Sequence, residues 1–284
     1  MRKKALWIVI AMVILSVFAL SACGGTDNNQ NATTPENPVI RVSTTTSVND
    51  SGLLPYLQPD FEQETGYTLE ITSNGTGAAI KLGETGDTDV LLVHSKAAEE
   101  EFINAGFGLE RLPFMYNYFV IVGPSDDPAG VKDTATAEEA LAAIANYGKT
   151  EFISRGDDSG THKKELTLWG NINLDPTKEA WYVSAGAGMG AVLNQASERQ
   201  AYTLTDKGTY LSMKDNLELD IVLEQSDDLK NTYSLIAVNP EKHQGINAEG
   251  ADVFIKWMTS DATADKIAKY GVDEYGEALF SIMK

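Results

Sequence analysis

The sequence is poor in cysteine, in histidine and in basic residues. Its 284 residues include one Cys, three His and 22 Lys and Arg, against 41 Asp and Glu. One cysteine excludes an internal disulfide, a thiolate metal cluster and CxxC redox chemistry. The histidines, His94, His162 and His243, show no metal-binding spacing such as H-E-x-x-H. The formal net charge of -19 makes nucleic acid a poor partner, because an acidic protein repels phosphate at long range.

Long uncharged runs are also absent, apart from one near the N-terminus. Arg2–Lys4 precedes an apolar stretch from Ala5 to Leu20. A basic start, a short apolar run and small residues before a break are typical of an export signal. The alternative, a membrane-spanning helix, needs about 20 apolar residues to cross the hydrocarbon core. We therefore predict a signal peptide over residues 1–22.

The only cysteine stands at the end of this segment, in Leu20-Ser21-Ala22-Cys23. The tetrapeptide resembles the lipobox of bacterial lipoproteins, in which cleavage before the cysteine leaves its thiol to carry diacylglycerol. Cys23 is therefore predicted to be a lipid anchor and not a catalytic thiol. Residues 24–38 have one apolar side chain and cannot bury enough surface to offset their ordering entropy. They are predicted to be a flexible tether between the outer face of the cell membrane and a folded body over 39–284.

In the folded body, short apolar strand patterns alternate with longer amphipathic helical patterns. This alternation predicts an α/β fold with largely parallel sheets and helices on both faces. Strands are predicted at residues 39–43, 68–73, 89–93, 116–122, 152–154, 182–184, 202–204 and 232–239. Helices are predicted at residues 53–64, 78–85, 137–146, 163–169, 189–198, 251–258 and 262–270, with one more after Ser95.

Two similar series of strands and helices indicate two lobes. The long strands near residues 118–123 and 232–238 are candidates for two crossings between them. Lobe one is then predicted over residues 39–120 plus 234–284, and lobe two over 121–233. Open α/β sheets bind ligands beyond the carboxyl ends of their strands, so two facing lobes enclose a cleft between them.

Two loops of the first series carry hydroxyl groups and glycines after a strand. Ser43–Ser47 is a run of five hydroxyl residues. The alternative interpretation is a helix N-cap together with threonines that favour a strand, but a cap needs only one hydroxyl. In Ser73–Gly77, glycines allow close backbone approach and the following helix directs N–H groups into the cleft, although a plain left-handed turn explains this loop nearly as well. The ligand contacts predicted from these loops are Thr44, Thr45, Thr46, Ser47, Thr76 and Gly77.

The loop Ser154–His162 has the strongest anion-binding pattern. The positive end of a helix favours an anion, and Arg155 adds planar donors that stay protonated. Alternatively, Ser159 or Asp158 caps the helix while Arg155 pairs with Asp157 at the surface. Both arrangements can hold at once, because an internal pair can orient the guanidinium toward a ligand. The contacts predicted here are Arg155, Ser159, Gly160 and Thr161.

Two other patterns suggest different functions. Ser184–Ala191 fits the dinucleotide fingerprint G-x-G-x-x-A, but that motif belongs to an opening βαβ unit. Gly186–Gly190 is instead expected to be an extra wall of the cleft. Ser159 and His162 allow a secreted hydrolase, yet no G-x-S-x-G elbow surrounds the serine. A surface adhesion or signalling module, which would bind no small anion, is a further alternative.

Three motifs together resemble those of the tungstate-binding lipoproteins of bacterial tungstate ABC importers. They are Thr-Thr-Thr-Ser at 44–47, Ser-Arg-Gly-Asp-Asp-Ser-Gly-Thr-His at 154–162 and Tyr-Thr-Leu-Thr-Asp-Lys-Gly-Thr-Tyr at 202–210. The resemblance extends from about residue 39 to 284. The middle motif alone is less specific, because phosphate-binding importer components carry a similar Arg and Ser-Gly-Thr turn.

The resemblance implies a type II periplasmic-binding-protein fold, in which two α/β lobes on a two-strand hinge close over an oxyanion. It also implies a membrane permease and an ATPase as partners, a monomer, no cofactor and no enzymatic activity. Tungstate is a dianion without protons, so its site needs hydrogen-bond donors. Monohydrogen phosphate needs an acceptor, which Asp157 or Asp158 could supply. A phosphate- or molybdate-binding component therefore stays open, and the acidity of the chain is expected to slow encounter with any anion.

Overall fold

The computed structural model describes residues 35–283; the predicted signal peptide, Cys23 and most of the tether lie outside them. Ten strands are formed in this part of the chain. They are β1 Val39–Thr45, β2 Thr68–Asn74, β3 Val90–Val93, β4 Leu112–Gly123, β5 Phe152–Ser154, β6 Tyr182–Ser184, β7 Thr203–Asp206, β8 Asp220–Leu223, β9 Lys230–Ala237 and β10 Ser281–Ile282.

Eleven α-helices accompany these strands within residues 35–283. The first six are α1 Thr46–Asp50, α2 Leu53–Thr65, α3 Thr76–Thr85, α4 Lys96–Asn104, α5 Ala137–Tyr147 and α6 Gly160–Asn171. The others are α7 Met189–Arg199, α8 Lys207–Met213, α9 Ala248–Met258, α10 Asp261–Ile267 and α11 Val272–Tyr275. Helices α2 and α3 end at Gly66 and Gly86, whose left-handed φ angles of 74° and 79° favour glycine. Within the described residues, no helix is long and apolar enough to cross a membrane.

The first group of strands contains the predicted parallel pairing, with β1 paired to β2 on one side and to β3 on the other. The sheet as a whole is mixed, so the prediction of a largely parallel sheet was wrong. The strand Val90–Val93 is buried throughout, which suits an apolar run covered by helices on both faces. Antiparallel β9 then pairs with β3 and with the first part of β4. The carboxyl ends of β1, β2 and β3 therefore lie at one edge of this sheet.

The long strand β4 connects the two groups of strands. Its residues from Leu112 to Tyr118 pair with β9, whereas those from Phe119 to Gly123 pair with β7 and β8. Alternate side chains of the second part pack into separate cores, Val120 and Val122 on one side and Phe119 and Ile121 on the other. The second group also contains the parallel pair β5 and β6. This confirms the predicted two-lobed α/β fold, with β4 and β9 as its two-strand hinge.

The structure also contains elements that the sequence patterns did not predict. Strand β8 has four residues and helix α8 has seven, so neither is long enough to show a clear periodicity. Helix α8 is capped by Asp206, whose carboxylate accepts hydrogen bonds from the backbone N–H and the hydroxyl of Thr209. The predicted strand over 202–204 accordingly runs one residue later at its start and ends at this capping aspartate.

Candidate functional site

The loops that follow β1, β2, β3 and β5 meet around a small cavity. Its wall combines hydroxyl groups, glycines, one histidine and one arginine and, among residues 35–283, includes no Asp or Glu. The lining residues are Thr45, Thr46, Ser47, Gly75, Thr76, His94, Arg155, Gly160 and Thr161. The cavity therefore lies where two α/β lobes are expected to bind a ligand, at the carboxyl ends of their strands.

A hydrogen-bonded cluster fixes the β1 side of the cavity. Ser47 Oγ lies 3.1 Å from Thr45 Oγ1, 3.3 Å from His94 Nε2 and 3.4 Å from the hydroxyl of Tyr233. Asn231 in turn donates to the Tyr233 hydroxyl at 2.8 Å. Because Tyr233 and Asn231 belong to the hinge strand β9, the hydroxyl loop after β1 is tied to the hinge.

Thr76 presents a buried hydroxyl to the cavity. The residue is 2% exposed, and its Oγ1 has no hydrogen-bond partner among the described residues. It is the first residue of α3, whose N-cap residue Gly75 makes no side-chain cap. A buried hydroxyl without a partner costs about 1–3 kcal/mol, and the first N–H groups of a helix have no partner within it. This helix start consequently offers free donors to a ligand.

The start of α6 forms the opposite wall. Ser159 caps the helix by accepting from the backbone N–H of His162 at 3.3 Å. Gly160 allows the two walls to approach, because a Cβ there would lie 2.7 Å from His94 Cε1 and 3.5 Å from Thr76 Oγ1. The N–H groups of Gly160 and Thr161 belong to the first helical turn, so they have no acceptor within the helix.

Arg155 supplies the permanent positive charge of the wall. Its Nε donates to Asp157 Oδ2 at 3.1 Å, and 14% of its side chain is exposed. Burial raises the pKa of Asp157, but hydrogen bonds from Ser159 and Arg155 outweigh this and hold the pKa below its ordinary value. The carboxylate thus stays ionised at neutral pH and orients the guanidinium, so that Arg155 both pairs with Asp157 and lines the cavity.

His94 is a site residue that the sequence patterns did not identify. Burial lowers its pKa to about 4, so the ring is neutral at pH 7 and carries one N–H donor. A lone histidine carries little information in a sequence. The signal in the sequence is its position, because His94 follows β3 directly and the segments after the neighbouring strands are predicted to bind the ligand.

Seven of the ten ligand contacts predicted from sequence line the cavity, namely Thr45, Thr46, Ser47, Thr76, Arg155, Gly160 and Thr161. The other three lie beside it. Thr44 donates its hydroxyl to Leu92 O at 2.9 Å, Ser159 serves as the helix cap, and Gly77 faces Lys163. Gly186–Gly190 does not line the cavity, although Ala187 N–H within it donates to Arg155 O at 3.1 Å. Contact of all these residues with a ligand stays a prediction.

Comparison with known proteins agrees with the fold and with the motifs. A profile described as a PBP superfamily domain matches residues 31–262. A tungstate-binding protein, TupA, of Peptoclostridium acidaminophilum is 48% identical over 283 residues, which cover 98% of both chains.

Two solved structures are similar at 47% identity. The tungstate binding protein TupA from Desulfovibrio alaskensis gives a TM-score of 0.79 over 87% of this chain and 99% of its own. The tungstate ABC transporter structure from Geobacter sulfurreducens gives 0.73 over 82% of this chain and 98% of its own. The chain therefore belongs to the PBP superfamily and, within it, to the family of the TupA tungstate-binding proteins.

Proposed function

We propose that the chain captures tungstate in the cleft between its lobes and delivers it to an ABC permease outside the cytoplasm. The observation that carries this proposal is the donor-rich wall of the small cavity, which, as far as the structure describes the chain, contains Arg155 and the unpartnered Thr76 hydroxyl but no carboxylate. The names of the relatives supply the ligand class and the association with an ABC transporter, whose permease and ATPase we propose as partners. A tetrahedral dianion without protons matches such a wall, because charge-assisted hydrogen bonds are about twice as strong as neutral ones.

The carboxylates that could accept the proton of hydrogen phosphate are engaged elsewhere. Asp157 pairs with Arg155, and Asp158 lies 3.4 Å from Lys163 Nζ. Neither belongs to the cavity wall. Hydroxyl oxygens can also accept a hydrogen bond from that proton, but they are weaker acceptors than a carboxylate. This favours a fully deprotonated oxyanion over phosphate and leaves molybdate as the second candidate, to be separated from tungstate by size.

A binding role is also favoured over the hydrolase. The Nδ1 atom of His162 accepts a hydrogen bond from the backbone N–H of Asp158 at 3.1 Å. Ser159 Oγ accepts from the backbone N–H of His162 and not from its ring. A general base must reach the proton of its nucleophile, and this ring nitrogen is already used to close the loop. We therefore propose that the chain is not an enzyme.

The remaining parts of the proposal concern the ends and the lobes of the chain. We propose that Cys23 is lipidated after removal of residues 1–22, and that the protein is an anchored monomer. Intact mass and lipid labelling of the wild type and of Cys23→Ala test the anchor. For the lobes, we propose residues 39–120 plus 234–284 and residues 121–233. The change of partners along β4 between Tyr118 and Phe119 supports the first boundary.

Isothermal titration calorimetry tests the ligand. The full chain, in a non-ionic detergent, is titrated with tungstate, molybdate, sulfate and phosphate under one set of conditions. We expect a single site with tungstate bound most tightly and phosphate most weakly. Tightest binding of phosphate would overturn the ligand assignment, and no binding of any of these oxyanions would overturn the function.

A further inference from the structure

A second, larger cavity of about 510 Å³ adjoins the small one and contains cations of an otherwise acidic protein. Its charged lining residues are Lys96, Arg111, Lys163, Lys164 and Lys230. In the part of the chain that the structure describes, no Asp or Glu lines it, although the whole sequence has 41 acidic residues against 22 basic ones. A cavity lined by one sign of charge focuses the electric field, so its interior can be positive while the protein as a whole is negative.

The five cations are not equivalent. Arg111 pairs with the fully buried carboxylate of Glu99, which neutralises its charge locally. Lys96 and Lys163 form ion pairs at 3.7 and 3.4 Å with exposed carboxylates. Three of the five charges are therefore compensated, at least in part, by acids outside the cavity wall.

The two remaining lysines keep their charge largely uncompensated. Within residues 35–283, neither Lys164 nor Lys230 has a carboxylate oxygen within the 4.0 Å of an ion pair. Lys230 Nζ instead lies 4.0 Å from the centre of the Tyr116 ring. Burial lowers the pKa of Lys164, while Asp228 and Glu138 raise it from a greater distance. A partly buried cation without a direct counter-ion attracts an anion more strongly than an exposed lysine does.

The two cavities are adjacent and share part of their lining. Thr76, His94 and Gly160 line both of them. These three residues lie close together, since a Cβ on Gly160 would be 2.7 Å from His94 Cε1 and 3.5 Å from Thr76 Oγ1. An anion that reaches the small cavity by way of the large one passes the charged lining before it meets the unpartnered Thr76 hydroxyl.

We propose that the larger cavity is the entrance to the oxyanion site, and that Lys164 and Lys230 draw the dianion into it against the repulsion of the acidic surface. This inference rests on the proposed function, and it concerns the rate of capture. The site itself has its own donors, so the lysines contribute to association and little to retention. Ionic strength separates the two opposing fields: repulsion by the net charge predicts faster association as salt is added, whereas an attractive entrance predicts slower association.

The test measures association and dissociation rate constants for tungstate by stopped-flow mixing, at several sodium chloride concentrations. It compares the full chain, in a non-ionic detergent, with the double variant Lys164→Gln/Lys230→Gln. The matched control is Lys178→Gln/Lys256→Gln, which removes the same charge from two exposed lysines outside the cavity. Because Lys230 contacts Tyr116, the single variant Lys164→Gln and a thermal unfolding curve of each protein accompany the set.

We expect association of the wild type to slow as salt rises. At low salt the cavity variant should associate about tenfold more slowly than the control, with an unchanged dissociation rate. Association that speeds up with salt in the wild type, or equal rates in the cavity variant and the control, would overturn the entrance. The entrance would also be overturned if the cavity variant lost affinity only through faster dissociation of tungstate, since the lysines would then hold the bound anion. Calorimetry that shows no oxyanion binding would instead overturn the proposed function.

Discussion

The two helix starts at the small cavity, those of α3 and α6, differ in how their hydroxyl groups are hydrogen-bonded. Helix α6 is capped by Ser159, so the hydroxyl that the sequence offers for a ligand also stabilises the helix. Helix α3 begins without a side-chain cap, and the hydroxyl of Thr76 is buried without a partner. The α6 side adds the charge of Arg155, whereas the α3 side adds a neutral donor held ready by packing. The hydroxyl on the α6 wall therefore stabilises the folded protein. The hydroxyl on the α3 wall lowers its stability, because it is buried without a hydrogen bond that a bound anion would supply.

The strongest test of this comparison concerns the charged side. Replacing Arg155 by Lys keeps the positive charge but removes the planar pair of donors and the fixed link to Asp157. We expect tungstate affinity to fall about a hundredfold, or about 2.8 kcal/mol, measured by calorimetry. Arg199→Lys, which alters a surface arginine paired with Glu151, is the matched control and should bind normally. Equal affinities in the two variants would remove Arg155 from the site.

A second test separates the two walls by one methyl group. In Gly160→Ala, the new Cβ would lie 2.7 Å from His94 Cε1, so the walls cannot approach as closely. We expect affinity to fall about thirtyfold, or about 2 kcal/mol, and the free protein to lose some stability as well, because the added methyl group overpacks the wall against His94. Gly170→Ala changes the same helix at a position with no heavy atom within 4 Å of the added Cβ, and it should bind like the wild type. Normal binding by Gly160→Ala would show that this approach is not needed.

A third test removes the hydroxyls of Thr76 and Ser159 one at a time. Thr76→Val removes the unpartnered hydroxyl at nearly constant volume, so we expect affinity to fall about tenfold while the free protein keeps or gains stability. Ser159→Ala should instead lower the free energy of unfolding by about 1 kcal/mol, with a smaller effect on binding.

The control for Ser159→Ala is Ser260→Ala, since Ser260 caps α10 in the same way and lies outside the cavity. It should reproduce the stability loss of Ser159→Ala with normal affinity. Chemical unfolding and calorimetry give the two readouts for each variant. The comparison fails if Thr76→Val loses stability and keeps its affinity.

The smallest effect is the pH dependence that His94 adds to the α3 side. Its folded pKa of about 4 lies below the ordinary value of 6.5, so between these values the unfolded chain binds more protons and stability falls as pH falls. From pH 6.5 to 5.5 the loss is about 1 kcal/mol. Burial raises the pKa of Glu99, Glu165 and Asp206, which gives the opposite trend. The readout is therefore the difference between the wild type and His94→Gln in unfolding free energy, and parallel curves would contradict the assignment.

The sequence predicted the fold because its strands and helices have clear periods and because β4 is a long apolar run. It also indicated most of the small cavity, since loops after parallel strands meet at one edge of a sheet. The unpartnered state of Thr76 could not be predicted, because it depends on what packs around the hydroxyl. The cationic cavity was hidden by the net charge of -19, since its lysines come from distant positions such as 96, 164 and 230. Only the tertiary fold places them together.

The way β4 and β9 join the lobes also sets an order for folding. Strand β9 pairs with both β3 and β4, so the first sheet lacks a central strand until residue 237 is available. Strands β5 to β8 all precede β9 in the chain. Because the chain is synthesised from its N-terminus, the second lobe can complete its strand pairing before β9 is available to the first lobe. The edges of β3 and β4 that face β9 therefore stay unpaired until β9 has been synthesised, and unpaired edges are surfaces on which another chain can pair.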